Sequence, residues 1–96
     1  MIYTVSDRET ISSVSSVAGV GFTSTKLVTG IVYAIIQAIV GNVRITVDGS
    51  TPSTSLGLKL IQNSHIEVWG KQAMSDFLCI DDGGSAKLEV VYMKVG

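Results

Sequence analysis

"VRITVDGSTPSTSLGLKL", Val43 to Leu60, begins and ends as a strand and turns in between. Val43, Ile45 and Val47 alternate with Arg44, Thr46 and Asp48, the period-two pattern of a strand with one buried and one polar face. Asp48-Gly49 closes that strand. The glycine accepts the φ a turn needs, and the aspartate can accept backbone N–H bonds in the loop. Pro52, the only proline, fixes its own φ and holds Thr51 extended. Ser50, Thr51, Ser53, Thr54 and Ser55 can bond the backbone locally. Gly57 lets the following strand bend or approach another backbone.

Working outward, Ile31–Val40 ("IVYAIIQAIV") is ten residues, half of what a membrane-spanning helix needs. Its β-branched content and bounding glycines, Gly30 and Gly41, favour a strand. Gly41-Asn42 then reads as a two-residue hairpin turn into Val43. Ile31, Tyr33, Ile35 and Ile39 would share one face of this strand, and Val32, Ile36 and Val40 the other. A strand apolar on both faces occupies a central place in a sandwich or meets another subunit.

"LGLKLI" and "HIEVWG" read as further strands joined by a turn at Gln62–Ser64. In the second, Ile66 and Val68 lie opposite His65, Glu67 and Trp69. "DFLCI" is a short apolar strand and "DDGGS" a turn. "AKLEVVYMKV" ends the chain with Leu88, Val90 and Tyr92 inward. "GFTSTKLVTG" favours a strand by composition, while "SSVSSVAGV" fits a helical turn or an extended arm equally. No convincing amphipathic helix appears. The expected fold is all-β: a small β-sandwich, or a jelly-roll or immunoglobulin-like barrel, of six to eight short strands. Residues 1–20 read as an N-terminal arm or peripheral segment, residues 21–96 as a single domain.

Composition narrows the function. The 96 residues are 46% apolar but only 16% charged, with net charge −1. Low charge with ordinary apolar content hints that a partner covers part of the surface. With no basic run, neither nucleic acid nor an anionic membrane is expected as a partner. The start "MIYTVSDRET" has no basic, apolar leader, so the chain is expected to be made and folded in the cytosol.

Catalytic and metal motifs are sparse. Cys79 is the only cysteine and His65 the only histidine, too few for a zinc site within one chain. Cys79 lies in an apolar strand and reads as a buried, inert thiol. Asp81-Asp82 before two glycines lacks the calcium-loop pattern and reads as a turn. Gly19-Val20-Gly21 is no phosphate loop, and no serine sits in a nucleophile elbow. The expectation is a non-enzymatic protein without a cofactor. Trp69 could fill the core, stack on a sugar or bury in a neighbouring subunit.

Several segments together carry a resemblance. "VRITVDGSTPSTSLGLKL", "HIEVWG", "FLCID" and the terminal "AKLEVVYMK" resemble a group of small tailed-phage virion proteins with an Arg-x-x-x-Asp-Gly-x-x-Pro-Ser/Thr signature. Here the signature falls on Arg44, Asp48, Gly49, Pro52 and Ser53, followed by Gly57. "GFTSTKL" is similar to an early segment of the same group, so the likeness runs from Gly21 to Lys94. The terminal "VVYMK" departs from it where a second aromatic is common. The resemblance implies a β-rich virion component made in the host cytoplasm, first a capsid decoration or cement protein, otherwise a neck, tail or fibre piece. Its expected partners are the major capsid protein, other virion proteins and copies of itself, a trimer included. "VRITVDGSTP" alone is also similar to a turn in immunoglobulin-like modules of bacterial glycoside hydrolases, which implies a carbohydrate-binding or host-adhesion module instead. The expected contact residues are Val32, Ile36, Val40, Trp69 and the loop Ser50, Thr51, Pro52, Ser53 and Thr54, with the N-terminal arm as a second candidate.

Overall fold

The computed structural model describes residues 2–12, 19–53, 55–82 and 85–96. Two antiparallel sheets pack face to face as an all-β sandwich. The strands are β1 (Tyr3–Ile11), β2 (Ile31–Val40), β3 (Val43–Thr46), β4 (Leu58–Leu60), β5 (His65–Trp69), β6 (Leu78–Asp81) and β7 (Lys87–Val95). One sheet runs β1-β7-β2-β5, the other β4-β3-β6. The core lies between them, and the alternation of β7 decides how it fills. Leu88, Val90 and Tyr92 are fully buried, side by side with Ala38, Ile36 and Ala34 of β2 and in one cluster with Val43, Ile45 and Cys79 of the smaller sheet. Each leucine, isoleucine or valine among them contributes about 1.5–3 kcal/mol on burial.

Tyr92 brings a hydroxyl into this core, and a buried hydroxyl needs a partner. It donates to the Glu9 carboxylate of β1, which also accepts from the Thr23 hydroxyl at 2.6 Å and the Thr23 N–H at 3.2 Å. Burial works against ionised Glu9, but these hydrogen bonds outweigh it and hold its pKa below the ordinary value. Burial and the neighbouring carboxylate push the Tyr92 phenol up. Beside them Phe22 stacks on Phe77, centroids 4.0 Å apart, with Tyr92 edge-on to Phe22.

Four sequence expectations give way here. Tyr3–Ile11 is not an arm but a nine-residue strand along β7. A bulge between Val5 and Asp7 breaks its alternation, so Tyr3 and Val5 point away from the core while Asp7, Glu9 and Ile11 point towards it. Most of "SSVSSVAGV" lies outside the described residues. Gly41-Asn42 does not close a hairpin: β2 already pairs with β5 and β7, β3 with β4 and β6, and the dipeptide carries the chain between sheets. "GFTSTKLVTG" holds a 3₁₀ turn, Ser24–Lys26, rather than a strand. Its side chains reach back to β1, Thr23 to Glu9 and Lys26 to Asp7 at 3.0 Å, and this replaces sheet pairing. Finally, a helix of six residues, α1 (Lys71–Asp76), follows β5 and buries Met74. It is too short to show a helical period in sequence.

The opening stretch folds largely as its residues dictate. Asp48 accepts from the Ser50 N–H at 3.1 Å and from the Ser50 hydroxyl, which holds its carboxyl below the usual range. Ser53 and Leu56 exchange backbone hydrogen bonds at 3.0 and 3.2 Å. Gly57 has φ +113°, and a Cβ there would lie 2.8 Å from the Ile45 carbonyl oxygen. Gly70 has φ +96° but open space around it. Gly57→Ala is therefore expected to cost roughly 2–4 kcal/mol, strain and clash together, and Gly70→Ala about 1–2 from strain alone. Urea unfolding of the two variants measures the difference.

The depressed Glu9 pKa has a definite sign. Its contribution to stability is present above the unfolded value, about 4.5, and is lost as pH falls through the lower folded value. Denaturation midpoints are expected to stay level from neutral pH down to about 4.5 and to fall as pH drops from there through the lower folded value. Glu9→Gln should lower the midpoint at neutral pH and flatten the acid limb. An acid limb as steep as the parent's would remove Glu9 from this role.

Candidate interaction surface

The face of the four-stranded sheet turned away from the core forms three rows across β1, β7, β2 and β5. They are Val5–Met93–Tyr33–Trp69, Arg8–Val91–Ile35–Glu67 and Thr10–Glu89–Gln37–His65. The first row is apolar, the second apolar between two opposite charges, the third polar. Outward faces of antiparallel sheets are ordinarily polar. Here one half is not: Val5 is 59% exposed, Val95 50% and Trp69 47%.

An aromatic cluster organises that half. Trp69 stacks on Tyr33 with centroids 4.0 Å apart and an interplanar angle of 11°. Tyr3 meets both rings edge-on, at 5.4 Å from Tyr33 and 5.7 Å from Trp69. Tyr33 is thus buried although it points away from the core. The indole Nε1 of Trp69 donates to Glu67 at 2.9 Å, which fixes ring and carboxylate together. At the polar end, Arg8 donates to Glu89 through Nε at 3.1 Å and Nη2 at 2.6 Å, and the Thr10 hydroxyl donates to the same carboxylate at 2.8 Å. These bonds hold the Glu89 carboxyl below the usual range. A shallow depression of about 170 Å³ lies at the centre, lined by Ile35, Gln37, His65, Glu89 and Val91.

The sequence-predicted contact residues divide around this surface. Trp69 lies on it. Ile36 does not: it has no exposure and points into the core between Ala34 and Ala38. Val32, half-buried, accepts the Gly70 N–H through its carbonyl at 3.0 Å, and Val40 is exposed at the far end of β2. The apolar face of β2 that remains free is the other one, with Tyr33 and Ile35. In the loop, Pro52 is buried near Leu78, both beside the Gly19 backbone, so it is not available to a partner. Thr51 is exposed, Ser50 and Ser53 are half-buried, and Thr54 lies outside the described residues. The loop belongs to the smaller sheet and does not join Trp69. Tyr3 and Val5 fall within the N-terminal segment expected as a second contact candidate, although the bulge in β1 conceals which of its side chains share a face, and Met93 of β7 was missed.

The other chemical candidates are structural in this fold. Arg44 is held by Asp82, Nε to Oδ2 at 3.0 Å, and by the Gly57 carbonyl at 3.1 Å; Lys59 reaches Asp82 at 3.8 Å. No group of three or more His, Cys, Asp or Glu able to hold a metal gathers among the described residues. A second cleft of about 170 Å³ lies between α1 and residues 27–31, with Lys71 on its rim. Comparison with protein-family models, with curated proteins and with solved structures finds no match for this chain. Fold and surface together define an all-β sandwich with a half-apolar outer sheet face.

Cys79 is fully buried in β6, and burial pushes its thiol up to about 12. The native protein is expected to resist alkylation by iodoacetamide at mildly alkaline pH and to react promptly once unfolded in guanidinium. Equal rates in both states would place the thiol at the surface.

Proposed function

We propose that the chain is a non-enzymatic structural protein of a tailed-phage particle, a capsid decoration or cement protein. It acts by burying apolar surface against the major capsid protein and against further copies of itself. The observation that carries this reading is the apolar half of the outer sheet face, from Val5 to Trp69, which the described residues leave exposed. The ordered likeness of several segments to small virion proteins supports the same reading, as does the low charge. A standard-size contact buries about 1,600 Å² in total, and repetition over a lattice sums modest contacts into large particle stability.

The test is co-sedimentation of the purified protein with capsid shells that lack it, followed by electron microscopy of the decorated shells. Regular occupancy of the head lattice is expected, and Trp69→Glu is expected to reduce it. Density at the neck, tail or fibre would move the protein to the alternative virion positions. Failure to associate with any virion part overturns the reading. A second reading, a carbohydrate-binding or adhesion module, is favoured by the exposed indole of Trp69 with Glu67 beside it. A glycan array distinguishes it: binding that Trp69→Ala abolishes supports the module, and no binding removes it.

A further inference from the structure

The three rows of the outer face have an order that selects one partner geometry. Consider a two-fold axis parallel to the strands, lying between β7 and β2. It places β1 of one copy over β5 of the other and β7 over β2. Val5 then faces Trp69, Met93 faces Tyr33 and Val91 faces Ile35, each with its counterpart in the second copy. Arg8 faces Glu67 twice, once on each flank, and Glu89 faces Gln37. A two-fold axis running across the strands reverses the rows instead. It would set the apolar row on the polar row Thr10–Glu89–Gln37–His65, so the face rejects it.

We propose that the outer face of the four-stranded sheet is an isologous interface that docks a second copy of this chain, back to back, about a two-fold axis parallel to the strands. The reading rests on the assignment of this face to protein contact above, and is independent of the particle the protein serves. Charge complementarity carries it. Within one chain Arg8 and Glu67 stand three strand spacings apart, about 14 Å, beyond direct contact. Arg8 retains a side chain that is 70% exposed despite its bond to Glu89. The Trp69 indole occupies only one oxygen of Glu67. The usual angle of about −30° between packed sheets offsets the flanking residues by only a few ångströms, within the reach of Arg and Glu.

The area sets the scale of the contact. Four strands and a nine-residue central strand span a plane of at most about 19 by 30 Å, roughly 570 Å², below the about 800 Å² per partner of a standard contact before the side chains that stand off the plane are added. The depression lined by Ile35, Val91, Gln37, His65 and Glu89 spans β7, β2 and β5, and lies beneath the second copy in this arrangement.

Sedimentation equilibrium of the purified chain tests the proposal through a charge swap. A dimer is expected at micromolar concentration. Arg8→Glu and Glu67→Arg should each weaken it by at least about tenfold, because each sets like charges together on both flanks. The double variant should recover most of the lost affinity, which no contact within a single chain can explain. Val5→Glu, opposite Trp69 on an exposed edge, should also weaken the dimer, and circular dichroism checks that each variant folds. A monomer up to about 100 µM, a stoichiometry other than two-fold, or a double variant as weak as the single ones overturns the interface. A monomeric protein that still decorates shells would leave the proposed function standing without the dimer. A dimer that ignores shells would do the reverse.

Discussion

The burial of Tyr92 is the constraint on which the rest of the sandwich depends. Its strand, β7, lies between β1 and β2, and its inward stripe has no exposure at all. A phenol at the end of that stripe adds aromatic area to the core but must place its hydroxyl. The acceptor is Glu9, so the strand carrying Glu9 has to lie alongside β7. Glu9 in turn is kept ionised by Thr23, which ties the residues around the 3₁₀ turn to β1. The same segment supplies Phe22, whose ring closes on Phe77 and Tyr92. One buried hydroxyl thereby links β7, β1, the segment around the 3₁₀ turn and the residue that follows α1.

How much of this was legible follows from which signals are local. The strands β3, β5 and β7 announce themselves by alternation, and Val43, Ile45, Val68, Leu88, Val90 and Tyr92 are buried as the period requires, but β3 ends at Thr46, which is buried, and Val47, expected inward, is exposed. The Asp48–Gly57 turn was legible because aspartate, serine and glycine act there on their own backbone. Strand β1 was hidden by its bulge, which shifts the alternation in the middle of a polar run. The Gly41-Asn42 corner looks like a hairpin because a turn dipeptide reports a change of direction, not which sheet the next strand joins. A Cβ at Gly41 would lie 2.6 Å from the Ser85 carbonyl oxygen, a tertiary contact invisible in the local sequence.

The surface was legible in part for a similar reason. Both faces of β2 are apolar, so composition could say that the strand had two covered sides but not which side met the core. Small side chains resolve it. Ala34 and Ala38 flank Ile36 and leave room for the opposite sheet, while Tyr33 and Ile35 are turned outwards. Trp69 was separable from Ile66 and Val68 because β5 has only one apolar face.

The aromatic cluster on the outer face differs in purpose from the one in the core. Phe22, Phe77 and Tyr92 exclude water from the sandwich. Tyr3, Tyr33 and Trp69 hold one another in place on the outside, and the indole is further fixed by Glu67. Ordering a large side chain at an interface costs about 0.5–1.5 kcal/mol when it is free beforehand. Rings already stacked on the face have met that cost during folding, so in the proposed interface more of the burial would remain as affinity. The bulge in β1 serves the same end. It turns Tyr3 and Val5 outwards while Glu9 and Ile11 remain inward, so one strand both completes the core and finishes the rigid outer face.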